Sequence, residues 1–200
     1  MDFIKDYSTQ VDIALSNLEL PEKPSNLYEP LRYFFTLGGK RIRPLLTLLA
    51  AKKYEVNLKD ALPAAMAVEI FHNFSLVHDD IMDEAPVRRG KTTVHKKWNT
   101  NIAILSGDVM LVKAYEQLNS YPAQIAKELS TVFNKTAIEV CEGQQMDMDF
   151  ETTPDVSRDE YIKMIQLKTS VLLGCALKMG AILSKAPPED QEHLYQYGLN

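Results

Sequence analysis

Three carboxylates, Asp79, Asp80 and Asp83, fall within about one helical turn, and an arginine doublet, Arg88-Arg89, begins five residues after the last of them. At about 100° per residue, Asp79 and Asp83 (i, i+4) project from one helix face and Asp80 with Asp83 (i, i+3) nearly so, giving a fan of oxygen ligands. Carboxylates this close in an apolar setting repel one another unless a cation sits among them. Oxygen-only ligands suit Mg²⁺, which keeps several waters and completes its octahedron on substrate phosphates. Planar guanidinium forks match phosphate oxygens two at a time, so metal and arginine together would clamp a diphosphate. A solvated, acid-rich helix end is the competing interpretation. Against it stands the run 64–78 just upstream, apolar almost all round, which marks a helix interior to the fold.

A second cationic group, Lys40, Arg41 and Arg43, follows Gly38-Gly39 at the start of a helix, where free N–H groups already favour an anion. It reads either as a second phosphate site or as a basic turn connecting two helices. Two anion sites with one set of acids imply two phosphorylated substrates, one metal-clamped and one held by cations alone.

The elements that must position these groups are helices. Periodicity and punctuation predict helices over 3–18, 27–37, 44–54, 102–118, 122–150 and 157–183, with a linker at 21–24 and a last helix from Pro187-Pro188 still running at Asn200. Gly38-Gly39 should stop the second helix, and Pro44 fits a first turn. The long helix carrying the acids is expected to start at Asp60 as N-cap, with Pro63 in its first turn, and to end near Ala85 ahead of Pro86. Ser157 with Glu160 forms a capping-box pattern. Without a strand pattern, repeat or low-complexity tract, the expected fold class is all-α, in a single domain.

Composition narrows the function. The 200 residues, 46% of them apolar, suffice for one sizeable core, and a net charge of −5 offers no basic field for nucleic acid. Cys141 and Cys175 lie in helical patterns without metal spacing and read as small buried hydrophobes of a reducing compartment. The first residues lack a charged segment followed by an apolar one, and no stretch approaches ~18 uninterrupted apolar residues. A soluble, cytoplasmic protein with no stable membrane insertion is expected.

Five segments in this order, GGKRIRP (38–44), FHNFSLVHDDIMDEAPVRRGKTTVHKKW (71–98), SGDVML (106–111), EGQQMD (142–147) and QLKTS (166–170), carry a resemblance. From about Leu37 onward the chain resembles the trans-type prenyl diphosphate synthases, the polyprenyl synthetase family. The resemblance implies an isoprenoid-synthase helical bundle around a central apolar cavity, and Mg²⁺-assisted condensation of isopentenyl diphosphate with an allylic diphosphate. By the same resemblance, Lys40, Arg43, His72 and Arg89 bind the diphosphate of isopentenyl diphosphate, and Arg88 contacts the allylic diphosphate. Asp79 and Asp83 match the Mg²⁺ ligands, with Asp80 a weaker or indirect partner. Lys168 and Thr169 match a pair beside the allylic group. Gln144 matches a residue near the reacting carbons, with Asp147 supporting it or the metal.

The implied chemistry is ionisation of the allylic C–O bond in a site shielded from water, attack by the alkene, and proton loss to the departing diphosphate. No protein base is then needed, so His72 and His78 are not cast as one. Phe74 and Ser75, about one turn before Asp79, stand where the family sets chain length, and an aromatic there implies a farnesyl or geranylgeranyl product. Simple core packing explains Phe74 equally well. A homodimer is also implied, with long amphipathic helices such as 102–118 leaving apolar faces.

The family's second aspartate-rich motif does not occur before Asn200. The 200 residues are therefore expected to be the N-terminal portion of a longer enzyme, binding diphosphate weakly alone and not turning over. Two other classes fit parts of the pattern. A non-catalytic subunit of such a synthase would lack the second cluster, but it need not retain all seven of Lys40, Arg43, Asp79, Asp83, Arg88, Arg89 and Lys168. A metal phosphohydrolase could use His72 and His78-Asp79, but it needs histidines from several helices, and His95 and His193 offer no matching pattern.

Overall fold

The computed structural model describes residues 2–200. It is all-α apart from one hairpin: α1 (Asp2–Ser16), α2 (Ser25–Phe35), α3 (Ile42–Lys53), α4 (Leu58–Met82), β1 (Val87–Arg88), β2 (Lys91–Thr92), α5 (Val94–Lys97), α6 (Thr100–Asn119), α7 (Ala123–Phe150), α8 (Arg158–Ile165), α9 (Val171–Leu183) and α10 (Pro188–Leu199). Two compact units are distinguished, one comprising Met1–Leu45 with Met66–Gln117, the other Leu46–Ala65 with Leu118–Asn200.

In the first unit the core is made by Val11 and Leu15 of α1, Leu31, Phe34 and Phe35 of α2, Ile70, Phe71 and Val77 of α4, and Met110 of α6. The i, i+3 and i, i+4 spacing within α1 and α2 puts these side chains on one face of each helix. α4 goes further: residues 64–71 are buried on every side, as its unbroken apolar run predicts.

The ends of α4 differ from expectation. Asp60 lies inside the first turn rather than capping it, because the Asn57 carbonyl already accepts from the amides of Asp60 and Ala61 at 3.1 Å. One turn later a hydroxyl enters the ladder: Tyr121 Oη accepts from the Ala64 amide at 3.0 Å and donates to the Asp60 carbonyl at 2.8 Å. At the other end Pro86 is not the terminator. Glu84 adopts φ 49°, its amide donates to the Ile81 carbonyl at 3.2 Å, and the Ala85 amide donates to the Asp80 carbonyl at 3.0 Å. This is a Schellman motif, which ends the helix at Met82 with a non-glycine residue in the left-handed position.

The hairpin was invisible to periodicity because each strand has two residues. Val87 pairs with Thr92 and Arg88 with Lys91, leaving Arg89 (φ 52°) and Gly90 (φ 75°) as the loop. Positive φ at both loop positions is the I′ pattern that matches strand twist, and an X-Gly dipeptide is its signature. Tyr33 Oη donates to the Thr92 carbonyl and Thr93 Oγ1 to the Ala85 carbonyl, both at 2.7 Å, which fixes the hairpin beside the end of α4.

In the second unit α7 and α9 carry the core, with Leu129, Phe133, Leu172, Cys175 and Met179 buried. Cys141 is exposed, a correction to its reading as a buried hydrophobe, whereas Cys175 is buried. α8 begins with the expected capping box, Ser157 Oγ accepting from the Glu160 amide at 3.3 Å and Glu160 Oε2 from the Ser157 amide at 2.9 Å. The expected single helix from there to Leu183 is interrupted by a π turn, Gln166–Ser170. This segment, Arg158–Leu183, is the one helix among the described residues long and apolar enough to cross a membrane, and 61% of its most apolar window is buried inside the protein.

Candidate active site

The acid cluster at the end of α4 is divided. Asp83 is exposed at the helix end, yet its amide still donates to the Asp79 carbonyl at 2.9 Å, so the i, i+4 relation of the two carboxylates is kept. Asp80 instead points inward and is 1% exposed. Its Oδ1 accepts from Arg88 Nε at 2.7 Å, and Arg88 Nη2 donates to Asp79 Oδ2 at 3.1 Å. The three acids therefore do not form one fan of ligands, and Arg88 faces carboxylates rather than standing apart from them. Burial pushes the Asp80 carboxyl up, against the pull of Arg88.

Among the described residues no group of three or more His, Cys, Asp or Glu side chains comes together to hold a metal. Two carboxylates on one helix remain, Asp79 and Asp83. That donor set, all oxygen and incomplete, fits Mg²⁺, which binds through one or two carboxylates and takes its other positions from water and phosphate. It does not fit zinc, for which nitrogen or sulfur donors would be expected.

Lys40, Arg43, His72 and Arg89 line one cavity of about 460 Å³, together with Leu37, Gly39, Arg41, Ile42 and Glu69. Arg89 is delivered by the hairpin loop, and its Nη1 donates to the Gly38 carbonyl. A Cβ on Gly39 would stand 3.0 Å from the same guanidinium nitrogen, so this glycine makes room for Arg89. Arg43 Nη1 lies 3.2 Å from His72 Nε2. Burial lowers the His72 pKa to about 3, and the surrounding Arg43, Arg89, Arg88 and Arg41 add to the effect. The imidazole is thus neutral at ordinary pH, with Nε2 accepting from Arg43 and the proton on Nδ1. Burial also lowers Arg43 and Arg89 from their ordinary values, and each feels neighbouring guanidinium charge. A concave site lined by partly desolvated cations favours an anion.

Arg41 departs from the expected row of three cations. It adopts φ 50°, is 4% exposed, and donates from Nη1 to Glu69 Oε1 at 2.6 Å and from Nε to Asp12 Oδ1 at 2.8 Å. Burial alone would lower its pKa, but Glu69 and Asp12 outweigh burial and hold it above the usual arginine value. Arg41 ties α1 to α4 and leaves Lys40 and Arg43 on either side of it in the cavity. Glu69 and Asp12 were missed from sequence, although a lone acid inside the apolar run 64–71 was a usable sign.

Phe74 is half-buried, its ring 5.6 Å from Phe71 and 4.7 Å edge-on to His78, and Ser75 Oγ donates to the His72 carbonyl at 2.9 Å. His78 Nε2 donates to the Ile104 carbonyl at 3.2 Å and sits against Gly107, where a Cβ would lie 2.3 Å from that nitrogen. His78 is therefore a packed, hydrogen-bonded helix residue, and Gly107 of the SGDVML segment is the glycine that admits it.

In the second unit, Lys168 lies within the π turn and Thr169 beside it is exposed. Lys168 Nζ donates to Asp147 Oδ2 at 2.6 Å. Gln144, one turn earlier on α7, is half-buried and its Nε2 has no hydrogen-bond acceptor among the described residues.

Comparison with known proteins shows what this chain is similar to. The polyprenyl synthetase family model matches residues 24–200. A geranylgeranyl diphosphate synthase of Methanosarcina mazei is 46% identical over 201 aligned residues, which cover 99% of this chain and 62% of that protein. A geranylgeranyl pyrophosphate synthase of Geoglobus acetivorans is 38% identical, over 99% of this chain and 63% of its own length. The crystal structure of a geranylgeranyl pyrophosphate synthase superposes with TM-score 0.96 at 53% identity, covering all of this chain and 61% of the other. The chain thus spans a little over three fifths of the length of these relatives.

Proposed function

The chain belongs to the polyprenyl synthetase family, and from that premise we propose that it carries the substrate-clamping part of a prenyltransferase that joins isopentenyl diphosphate to an allylic diphosphate. The observation that carries this is the cavity lined by Lys40, Arg43, His72 and Arg89. Three cations and a neutral imidazole converge there, and a diphosphate would relieve the cost of burying the guanidinium groups. Glu69 offsets the field only in part: it is paired with Arg41, and burial keeps Arg43 and Arg89 lowered despite its charge.

The allylic diphosphate is assigned to the end of α4. Asp79 and Asp83 would hold Mg²⁺ on their shared face, and the bound ion would supply positive charge to stabilise the leaving diphosphate. Arg88, anchored by buried Asp80, presents a guanidinium at the same place. In the second unit, Lys168 and Thr169 keep the roles that the family resemblance implies, an ammonium for phosphate and a main-chain carbonyl for the developing cation, with Gln144 and Asp147 in support. His72, neutral and hydrogen-bonded, orients diphosphate rather than moving protons.

Phe74 and Ser75 set where the apolar tail stops, for a farnesyl or geranylgeranyl product. α6 exposes Ile104, Leu105 and Val112 at 40, 57 and 58%, an apolar face suited to a second copy in a homodimer. The protein is cytoplasmic in this proposal. Incubating the full-length protein with labelled isopentenyl diphosphate, an allylic primer and Mg²⁺ tests it. Labelled, longer prenyl diphosphate is expected; phosphate release without elongation would point to a hydrolase, and no reaction to a regulatory subunit.

A further inference from the structure

Gly143 of α7 meets the π turn backbone to backbone. A Cβ built on Gly143 would stand 2.3 Å from the Lys168 amide nitrogen, 2.7 Å from the Leu167 carbonyl carbon and 2.8 Å from Lys168 Cα. These are main-chain atoms, so no rotamer change relieves the clash. Helices ordinarily pack with axes about 8–10 Å apart, spaced by their side chains. A π turn carries one extra residue and widens the helix locally. Here the widening falls at the position where α7 has a hydrogen instead of a methyl.

The contact has a second strand on the same face of α7. Asp147, four residues after Gly143, receives the Lys168 ammonium at 2.6 Å. Gly143 therefore holds the Lys168 backbone while Asp147 holds its side-chain end. We propose that Gly143 is a positioning residue for prenyl transfer, its missing side chain letting α7 lock the π turn in the register that presents Lys168 and Thr169. This rests on the prenyltransferase assignment of that pair. A methyl at 143 would displace α7 or drive Gln166–Ser170 towards α geometry. The first change moves Asp147 away from Lys168, and the second puts the segments flanking the turn out of phase by up to about one residue, roughly 100°.

Gly174 is a control in the same unit. A Cβ there would lie 2.8 Å from the Tyr195 carbonyl oxygen, a helix contact looser than that at Gly143 but still too close for a methyl. The full-length protein and its Gly143→Ala and Gly174→Ala variants are crystallised, melted and assayed for turnover. In Gly143→Ala the π turn is expected to be lost or shifted and Lys168 Nζ to leave Asp147. Its kcat should fall about 100-fold, the scale of a 1 Å misplacement, with KM for isopentenyl diphosphate unchanged. Gly174→Ala should lose thermal stability but keep kcat below its melting range. If Gly143→Ala does not fold, deleting Gln166 in that background should restore folding by making the segment a regular α-helix, and should not restore turnover. An intact π turn and Lys168–Asp147 contact in Gly143→Ala, equal kcat losses in both glycine variants, or no rescue by the deletion would overturn the proposal. A parent protein that elongates nothing would defeat the prenyltransferase assignment instead, while the crystal structures still decide whether Gly143 sets the turn.

Discussion

Asp80 Oδ1 accepts a 2.7 Å hydrogen bond from Arg88 Nε inside the protein, while the flanking Asp79 keeps its side chain partly open to solvent. Replacing Asp80 by Asn takes from Arg88 the buried one of its two carboxylate partners, leaving Asp79, and should cost about 3 kcal/mol of folding stability. Asp83→Asn, at an exposed position, should change stability by less than about 1 kcal/mol. Urea unfolding of the two variants measures the difference. Equal effects would mean that Asp80 anchors nothing.

The cations of the 38–44 segment should separate in the same way. Glu69→Gln removes the buried one of Arg41's two acidic partners, leaving only the exposed Asp12, and is expected to cost about 3 kcal/mol. Lys40→Ala should be nearly neutral for folding and weaken isopentenyl diphosphate binding about tenfold, the worth of one charge-assisted hydrogen bond. Denaturant titration and calorimetric binding measure the two effects, and a destabilised Lys40→Ala would contradict the division.

His72 predicts a pH dependence. Its folded pKa of about 3 lies below the unfolded value of 6.5, so the unfolded chain binds the extra proton. The stability associated with the neutral ring is fully present above pH 6.5 and is lost as the pH falls towards 3. In the middle of that window the slope contributed is at most about 1.4 kcal/mol per pH unit. His72→Gln should flatten the stability profile between these limits, and an unchanged slope would show that the ring is not held neutral.

Glu84 closes α4 with φ 49°, in the left-handed region that glycine adopts without penalty. Glu84→Gly should therefore stabilise the protein by about 0.5–1 kcal/mol, raising the melting temperature by a few degrees. A lowered melting temperature would mean that the Glu84 side chain makes a compensating contact.

Much of this was legible because apolar period and residue chemistry are local. The length and burial of α4, the Ser157 cap and the proximity of Asp79 and Asp83 all follow from spacing along one helix. The convergence of Lys40, Arg43, His72 and Arg89 was expected only from the resemblance, since 49 residues separate the first from the last and no periodicity spans such a gap. The inward turn of Arg41 depends on Glu69 and Asp12, which lie on two other helices. The π turn and the roles of Gly107 and Gly143 depend on what faces them across a helix interface. Residue type alone marks such glycines as permissive without saying for which neighbour.

The most direct test combines Asp79→Asn and Asp83→Asn in the full-length protein and follows Mg²⁺-dependent transfer of label from isopentenyl diphosphate into longer prenyl diphosphates. The expected result is a loss of at least about 1000-fold in elongation with the fold intact, as removal of the charge that stabilises the departing diphosphate requires. Elongation at the parental rate would contradict the assignment of the α4 carboxylates to the metal and, with it, the proposed chemistry.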